Sequence, residues 1–520
     1  MADPADQPLA RRSIELIDIA GSSVNNRSSW MLELPPPTTD LSAPAMSSRV
    51  RVVRVSHVLP AATTGANEPA TGGSPRHDDD GRLLKLSFMD CLFVGVAPMQ
   101  RLFFYQGTGV PPFPSLVQSL RSSLAAVLRD FAPLAGKLAY RPSAGDLVVD
   151  LSPAAVSPGV KFVEAEYDGS VGDMRRLASG EEEEHDDPEA LARLGPELDA
   201  ARLPAPVLAV QVTRPAAAGE DGGGAVVGVS IHHAVADGRS VWQFMRAWSA
   251  ASRSASSPSP TFDRAAILRH PEAEQLARRF LRTIAPALPT VRQPSTGRLT
   301  PELSQRRRTF LIRADQIQSM KQRIMAQSAA IGEPLEKVPS TYVAVSSLVW
   351  TSIVRAKALV DDHGGGGAAC YFLVPVDCRR RLLPGDAGEG YFGNCLSLAY
   401  AKAAARDLTR PDDAGIAHAA AAIRGAAREK LASPLRGAER WVEVYAGMPR
   451  ERFTPTGSSD RFMAYETDMG WGAPSQVELV SPPPGRGMVL LLGAPDGGVQ
   501  VTVALDHAHM DRFVANFLQD

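Results

Sequence analysis

We predict an α/β protein built from two units of similar size, on the basis of three observations. Short β-rich runs alternate with amphipathic helical windows from Val50 onward, in both halves of the chain. The chain has 520 residues, 44% of them hydrophobic, and a single hydrophobic core rarely serves more than roughly 250 to 300 residues. A Ser/Pro-rich run over residues 252–260 interrupts the alternation near mid-chain and indicates a crossover linker.

The first half combines one clear amphipathic helix with several strands. The window 116–131 places apolar residues at helical spacing, and Ser115 is its predicted N-cap. A second helix is predicted over 240–251. An alternating run at 47–55 opens the strand pattern, and the further predicted strands are 83–88, 146–151, 207–213 and 225–231. We expect the helices to pack against a sheet.

The second half repeats the alternation without an internal sequence repeat. The predicted helices are 315–327, 341–359, 413–431 and 510–518, and the predicted strands are 370–377, 395–401, 488–492 and 499–505. We therefore predict an N-terminal domain over 46–251, a linker over 252–305 and a C-terminal domain over 306–520. The first 45 residues are rich in proline, serine and alanine, and we expect them to be disordered.

The composition argues against several classes of function. Lys plus Arg (55) nearly balances Asp plus Glu (57), for a net charge of −2, so no uniform field favours nucleic acid or an anionic membrane. The four cysteines form no C-x-x-C pair and are predicted to be reduced thiols. No run of about 18 to 20 apolar residues predicts a membrane span. We expect a cytoplasmic monomer that acts on small molecules and holds no metal or permanently bound cofactor.

The segment that suggests chemistry is residues 232–238, His-His-Ala-Val-Ala-Asp-Gly, between a predicted strand and a predicted helix. A turn that leaves a strand presents side chains on a rigid scaffold. Imidazole, whose pKa in water is about 6.5, suits proton transfer from a hydroxyl near pH 7. The spacing alone is a weak signal, and a structural histidine is the commoner interpretation. No G-x-S-x-G nucleophile elbow is present, because residues 228–232 end in His232.

Motifs elsewhere in the chain place this segment in a known context. His232-His233-x-x-x-Asp237-Gly238 resembles the signature of the chloramphenicol-acetyltransferase-like superfamily, which includes plant BAHD acyltransferases and peptide-synthetase condensation domains. Residues 468–472, Asp-Met-Gly-Trp-Gly, resemble the BAHD motif Asp-Phe-Gly-Trp-Gly, with Met469 in place of phenylalanine. Residues 391–395 match the Tyr-Phe-Gly-Asn-Cys segment typical of the anthocyanin and flavonoid glycoside acyltransferase clade. Further matches are residues 86–90, 133–138 and 340–350.

This resemblance implies a fold and a mechanism. The expected fold is two similar-sized chloramphenicol-acetyltransferase-like domains, each a mixed sheet with flanking helices, with the active-site channel at their interface. Acyl-CoA is the expected co-substrate. His233 would be the general base, and Asp237 would turn away from the channel to pair with an arginine, for which Arg355 and Arg379 are candidates. Gly238 is expected to permit the tight turn into the helix.

The remaining motif residues are expected to support the site. We expect Asp468, Gly470 and Gly472 to have a mainly structural role in their loop. The indole N–H of Trp471 is a candidate oxyanion donor. Asn394 is a motif residue without an assigned reaction step. His232 is expected to be structural, and Cys395 is assigned no chemistry. The sequence predicts no particular CoA-binding residue.

The leading functional hypothesis is transfer of a malonyl or hydroxycinnamoyl group from CoA to a sugar hydroxyl of a phenolic or flavonoid glycoside. Malonyl is preferred because the resembled clade often uses it, yet the sequence identifies no basic clamp for its free carboxylate. One alternative is a peptide-synthetase condensation domain, which predicts carrier-protein partners. The other is a non-catalytic binder of CoA esters or phenolics.

Overall fold

A computed structural model describes residues 49–62, 82–179, 187–217, 223–291, 305–359, 368–383, 385, 387–411, 413–480 and 488–519. All of the elements below belong to the unit formed by Ala45–Asp520. The predicted disordered extension over 1–45 lies outside the described residues and stays a prediction.

The strands form one large sheet and several smaller ones. In the six-stranded sheet the order is β1-β6-β8-β9-β3-β14, and the smaller sheets are β10-β16-β15, β12-β11-β13 and β2-β5-β4-β7. In chain order the strands are β1 Val50–Val58, β2 Leu83–Lys85, β3 Met99–Gln106, β4 Lys137–Arg141, β5 Asp146–Asp150, β6 Val160–Tyr167, β7 Ala205–Pro206, β8 Leu208–Pro215, β9 Gly224–Ile231, β10 Gln305–Ile312, β11 Ala369–Asp377, β12 Leu396–Ala404, β13 Phe453–Thr454, β14 Gln476–Val480, β15 Val489–Gly493 and β16 Val499–Asp506.

The helices flank these sheets. In chain order they are α1 Phe88–Cys91, α2 Phe113–Asp130, α3 Pro153–Val156, α4 Val171–Ser179, α5 Pro188–Arg193, α6 Gly238–Ser252, α7 Ala265–Leu268, α8 Ala273–Ile284, α9 Ala314–Ala330, α10 Thr341–Ala356, α11 Arg379–Leu382, α12 Ala387–Gly390, α13 Ala405–Leu408, α14 Ala414–Ala432, α15 Trp441–Ala446 and α16 His507–Gln519. No helix in the described ranges is long and apolar enough to cross a membrane.

The six-stranded sheet is mixed, and its strands come from both halves of the chain. β6 and β8 run parallel, whereas β9 pairs antiparallel with both β8 and β3. On the far side of β3 lies β14, which comes from the C-terminal half. The sheet that carries the His233 turn is therefore completed by a strand from the second half.

The helix that follows the His233 turn is anchored in the main apolar core. α6 packs against α2, where the Trp248 indole Nε1 donates to Ser123 Oγ at 3.0 Å. Phe244 of α6 contacts Phe131 edge to face at 5.5 Å, and Trp242 contacts Phe103 of β3 at 5.9 Å. These contacts fix α6 over the sheet.

Most of the predicted elements are confirmed in type, with corrections at their ends. The predicted strand 83–88 ends at Lys85, because Ser87 caps α1. The helix predicted from 116 begins at Phe113, since proline is tolerated in a first helical turn, and Ser115 is not its cap. The region predicted as a linker, 252–305, contains the helices α7 and α8, and its role between two domains stays a prediction.

Candidate active site

The His233 turn is held rigidly at both ends. β9 ends at Ile231, and His232 caps a 3-10 turn over His233–Val235 by accepting a hydrogen bond from Ala234 N at Nδ1, at 3.1 Å. Asp237 then caps α6, where its Oδ1 accepts from Ser240 N at 3.0 Å. The imidazole of His233 therefore projects from a turn with little freedom.

The His233 ring is half-buried and neutral at physiological pH. It stacks on Phe93 with ring centroids 4.1 Å apart and planes within 5°. The pKa of His233 is lowered to about 4, mainly by burial and to a smaller extent by Arg101, whereas the residue's own backbone, Asp237 and Asn394 act in the opposite direction. Nδ1 is buried and has no hydrogen-bond partner in the described part of the chain.

His232 is fully buried beside the candidate base. Burial, and then the neighbouring His233, lowers the pKa of His232 to about 4. Its Nδ1 is occupied by the backbone N–H of Ala234. The structure thus places His232 inside the turn as a capping residue.

Asp237 is turned into a buried ion pair with Arg379. Arg379 Nη2 donates to Asp237 Oδ1 at 2.8 Å, and both side chains are fully buried. The other oxygen, Oδ2, accepts from Cys395 N at 3.1 Å. Of the two candidate arginines, Arg379 is therefore the partner of Asp237. Arg355 donates to the carbonyl of Arg410.

The same guanidinium group joins the turn to the second half of the chain. Arg379 Nη2 also lies 3.0 Å from Ser240 Oγ and 3.0 Å from the carbonyl of Gly393. Burial tends to lower the pKa of Arg379, but the charge and hydrogen bond of Asp237, together with the charge of Asp377, raise it overall. The arginine therefore stays charged and holds the start of α6 against Gly393.

A second buried ion pair lies beside the first. Asp90 Oδ2 accepts from Arg264 Nε at 2.9 Å and from both N and Oγ of Ser87. Burial tends to raise the pKa of Asp90, but Arg264 and the hydrogen bonds lower it overall. Asp90 Oδ1 accepts from N and Nδ2 of Asn394, and Nδ2 also donates to the His233 carbonyl at 2.9 Å.

Residues 393–395 are therefore clamped between the two ion pairs. The Gly393 carbonyl accepts from Arg379, Asn394 N donates to Asp90, and Cys395 N donates to Asp237. Burial raises the pKa of the Cys395 thiol, so this cysteine serves through its backbone. Cys395 N thus binds the His233 turn directly at Asp237, whereas Asn394 N binds Asp90 and the Gly393 carbonyl binds the arginine partner of Asp237.

Gly393 fits this clamp because it has no side chain. Its φ is +153°, and a Cβ would lie 2.7 Å from Arg264 Nη2 and 2.8 Å from Tyr391 Oη. The Tyr391 ring itself contacts the guanidinium groups of Arg264 and Arg379 at 5.7 and 5.4 Å. A larger residue would separate the two ion pairs.

Gly238 has a different role from the predicted one. It lies in the first turn of α6 without a left-handed φ, so conformational freedom does not explain it. A Cβ there would lie 2.8 Å from the ring of Phe462. Gly238 therefore allows close packing of the helix start against Phe462.

The Asp468–Gly472 loop is anchored on α6. Asp468 Oδ1 accepts from the N–H groups of Gly470 and Gly472 at 2.8 and 2.9 Å, and both glycines have φ near +100°. The Asp468 carbonyl accepts from Ser249 Oγ of α6 at 2.7 Å. Met469 is fully buried, so methionine fills the core position of the expected phenylalanine.

Trp471 lies at the end of the sheet remote from His233. Its ring contacts Tyr105 edge to face at 5.8 Å, and its carbonyl lies close to Gly109, just beyond β3. Tyr105 pairs with Ala225 at the start of β9, whereas His233 follows the other end of that strand, roughly 20 Å away at 3.3 Å per residue. This position does not suit the predicted oxyanion donor.

One cation near His233 has no carboxylate partner in the described part of the chain. Arg101 of β3 is only 7% exposed, and its Nη1 donates to the Gln100 carbonyl at 2.8 Å. Its Nε has no hydrogen-bond partner in the described ranges. Burial lowers the pKa of Arg101 to about 10, so the guanidinium remains charged at neutral pH.

Several of these residues were not assigned from the sequence. Asp90 lies in the 86–90 motif, and Ser87-x-x-Asp90 has the spacing of a capping box, which was an available local signal. Arg264, Phe93 and Arg101 carry no local pattern that would reveal their contacts with the turn. The described residues contain no cluster of three His, Cys, Asp or Glu side chains able to hold a metal, and all four cysteines are buried and free.

A family model described as the transferase family matches residues 74–520. The chain belongs to this family, the BAHD acyltransferases. Members use acyl-CoA as co-substrate, and the chain is accordingly an acyltransferase. This assignment supersedes the condensation-domain alternative.

Curated relatives cover most of the chain. The malonyl-coenzyme:anthocyanin 5-O-glucoside-6'''-O-malonyltransferase of Salvia splendens is 28% identical over 452 residues, covering 83% of this chain and 90% of its own length. The phenolic glucoside malonyltransferase 1 of Arabidopsis thaliana is 26% identical over 495 residues, covering 90% and 97%.

The fold is shared with a solved structure. The crystal structure of vinorine synthase matches with a TM-score of 0.64 and 20% identity, covering 90% of this chain and 98% of vinorine synthase. The predicted fold class, mixed sheets with flanking helices in the chloramphenicol-acetyltransferase-like arrangement, is confirmed. The exact domain boundaries stay a prediction.

Proposed function

We propose that this acyltransferase transfers a malonyl group from malonyl-CoA to a sugar hydroxyl of a phenolic glycoside, with His233 as general base. The observation that carries the proposal is a neutral, half-buried imidazole held on a rigid turn by two buried ion pairs. An unprotonated imidazole in a fixed position is what proton abstraction from a hydroxyl requires.

The reaction proceeds through one tetrahedral intermediate. His233 Nε2 takes the proton of the acceptor hydroxyl as its oxygen attacks the thioester carbonyl carbon. The intermediate collapses, the C–S bond breaks, and the imidazolium returns the proton to the CoA thiolate. We assign Nε2 because Nδ1 is the buried nitrogen.

Asp237 and Asn394 position the base in this proposal. The carboxylate of Asp237 is occupied by Arg379, Ser240 N and Cys395 N, so it does not serve as the orienting group of a Ser-His-Asp type triad. Asn394 holds the main chain of His233, because its Nδ2 donates a hydrogen bond to the His233 carbonyl. Trp471 is assigned to the packing of the loop on β3.

The donor and acceptor are proposed from relatives. Two relatives with high coverage are named as malonyltransferases, one acting on an anthocyanin glucoside and one on a phenolic glucoside. The Tyr-Phe-Gly-Asn-Cys segment, which forms the clamp at residues 393–395, resembles that of the same clade. Hydroxycinnamoyl-CoA remains the second donor to assay.

The test measures thiol release from CoA thioesters in the presence and absence of simple phenolic and flavonoid glucosides. We expect acceptor-dependent release with malonyl-CoA, and a fall of about 100- to 10,000-fold in His233→Ala, as expected for loss of a general base. His57→Ala, at an exposed position on β1, is the matched control and should keep full activity.

Other outcomes would decide against the proposal. If wild-type protein binds CoA esters or phenolic glucosides but releases no thiol with any pair, the chain is a non-catalytic binder. If His233→Ala retains wild-type rates, the base is another group.

A further inference from the structure

We propose that Arg101 binds the free carboxylate of a dicarboxylic acyl donor, of which malonyl-CoA is the simplest, and so selects the donor. This inference rests on the proposed acyl transfer at His233. It supplies the basic clamp that the sequence did not identify.

The burial of an uncompensated charge is the first reason. Arg264 and Arg379 are also buried, at 3% and 0% exposure, but each pairs with a carboxylate. Arg101 is 7% exposed and has no carboxylate within 4 Å in the described part of the chain, where its guanidinium is bonded only to a neighbouring carbonyl. A buried charge without a partner is costly to the folded state, so its retention points to an anion that binds there.

The position of Arg101 on the sheet is the second reason. It pairs with Val229 of β9, four residues before His233, and with Leu479 of β14. Alternation along β3 places Arg101 on the same face as Phe103, which packs under α6. Arg101 is therefore near the end of the sheet where β9 leads into the His233 turn.

The geometry of the ligand is the third reason. In malonyl-CoA one methylene separates the free carboxylate from the thioester carbonyl, so the carboxylate partner must lie close to the carbon that the acceptor attacks. Arg101 pairs with Val229, two residues before the end of β9 at Ile231, after which the chain enters the His233 turn. A guanidinium fork can bind a carboxylate with two parallel hydrogen bonds.

The pKa of the base is consistent with this arrangement. Arg101 contributes to the low pKa of His233. A bound carboxylate would offset the positive charge, raise the pKa of the imidazole and strengthen it as a base when the donor is in place. Asp237 and His232 are the other titratable groups coupled to His233.

The experiment compares malonyl-CoA with acetyl-CoA, which lacks only the carboxylate, using an uncharged phenolic glucoside as acceptor. We expect Arg101→Met to lower kcat/KM for malonyl-CoA by about 10- to 100-fold relative to acetyl-CoA, as for loss of a charged hydrogen bond. Arg101→Lys should recover part of the preference. Arg246→Met, at an exposed position on α6, should leave both donors unchanged.

Stability and binding separate this role from a structural one. Because the charge is uncompensated, Arg101→Met should melt at the same temperature as wild type or higher. Equal losses with both donors, or a marked drop in Tm, would overturn the inference. If the wild type shows no turnover at all, calorimetric binding decides: Arg101→Met must weaken malonyl-CoA but not acetyl-CoA.

A carboxylate could also come from the acceptor. A final arm therefore assays acetyl-CoA with a carboxylate-bearing phenolic acceptor. If Arg101→Met abolishes that transfer and spares malonyl-CoA, the site serves the acceptor and the donor assignment is wrong.

Discussion

At the scale of single residues, the site depends on how each buried charge is neutralised. Asp237 and Asp90 are fully buried, and each has an arginine together with main-chain N–H groups around it. Removing one partner of such a pair leaves the other charge without compensation, which costs far more than the pair contributes. The main effect of the two ion pairs is to hold the His233 turn and residues 393–395 together.

We expect Arg379→Met to lower the free energy of unfolding by about 3 to 5 kcal/mol, because the buried Asp237 carboxylate loses its cation. Asp237→Asn should lower activity and thermal stability together. Urea unfolding and thiol release, measured on the same preparations, check both variants. If Asp237→Asn lost activity at an unchanged melting profile, Asp237 would act in proton transfer and our positioning role would be wrong.

At the scale of elements, α6 connects the chemistry to the Asp468–Gly472 loop. The helix begins at the Asp237 cap and carries Ser249, which binds the Asp468 carbonyl. The loop therefore supports the helix from its C-terminal end, while Trp471 packs on Tyr105. These contacts give the Asp468–Gly472 motif a structural role at a distance from the reacting atoms.

We expect Trp471→Phe to keep kcat nearly unchanged, because phenylalanine preserves an aromatic contact with Tyr105. Loss of an oxyanion donor would instead lower kcat by roughly 100- to 1000-fold. Asp468→Ala, which removes the acceptor of two glycine N–H groups, should lower Tm. Steady-state kinetics of Trp471→Phe at saturating donor would expose a direct role, since kcat would then fall by that factor.

At the scale of the whole molecule, neutral buried histidines couple stability to pH. The pKa of His232 falls from 6.5 to about 4 on folding, mainly through burial. Between these values the unfolded chain binds a proton that the folded chain does not, so the free energy of unfolding decreases as pH falls from about 6.5 to 4. Burial lowers the pKa of half-buried His233 in the same direction.

We expect His232→Gln to flatten the stability profile between pH 6.5 and 4, because the fully buried His232 can account for up to about 3 kcal/mol of the change. Chemical denaturation at several pH values measures this slope. His57→Gln, at an exposed position, should keep the wild-type slope. An unchanged slope in His232→Gln would mean that His232 is not buried as a neutral group.

Much of the fold was predictable because local patterns report it. The apolar run of β9 and the helical spacing of α6 located the turn between them, and the motif at His233 and Asp237 lay there. Errors arose at element ends, as at Ser87, where a capping side chain competes with strand continuation. Periodicity indicates burial, but it is weakest where an element begins or ends.

The sequence by itself determined the α/β class, the family resemblance and the histidine to test. Only the tertiary structure decided that Arg379 pairs with Asp237 across 142 residues and Arg264 with Asp90 across 174. It also decided that Arg101 is buried without a carboxylate partner among the described residues. The reason is physical. The interaction of a charged side chain depends on its distance from other charges and on its desolvation, and folding sets both through residues far away in the chain.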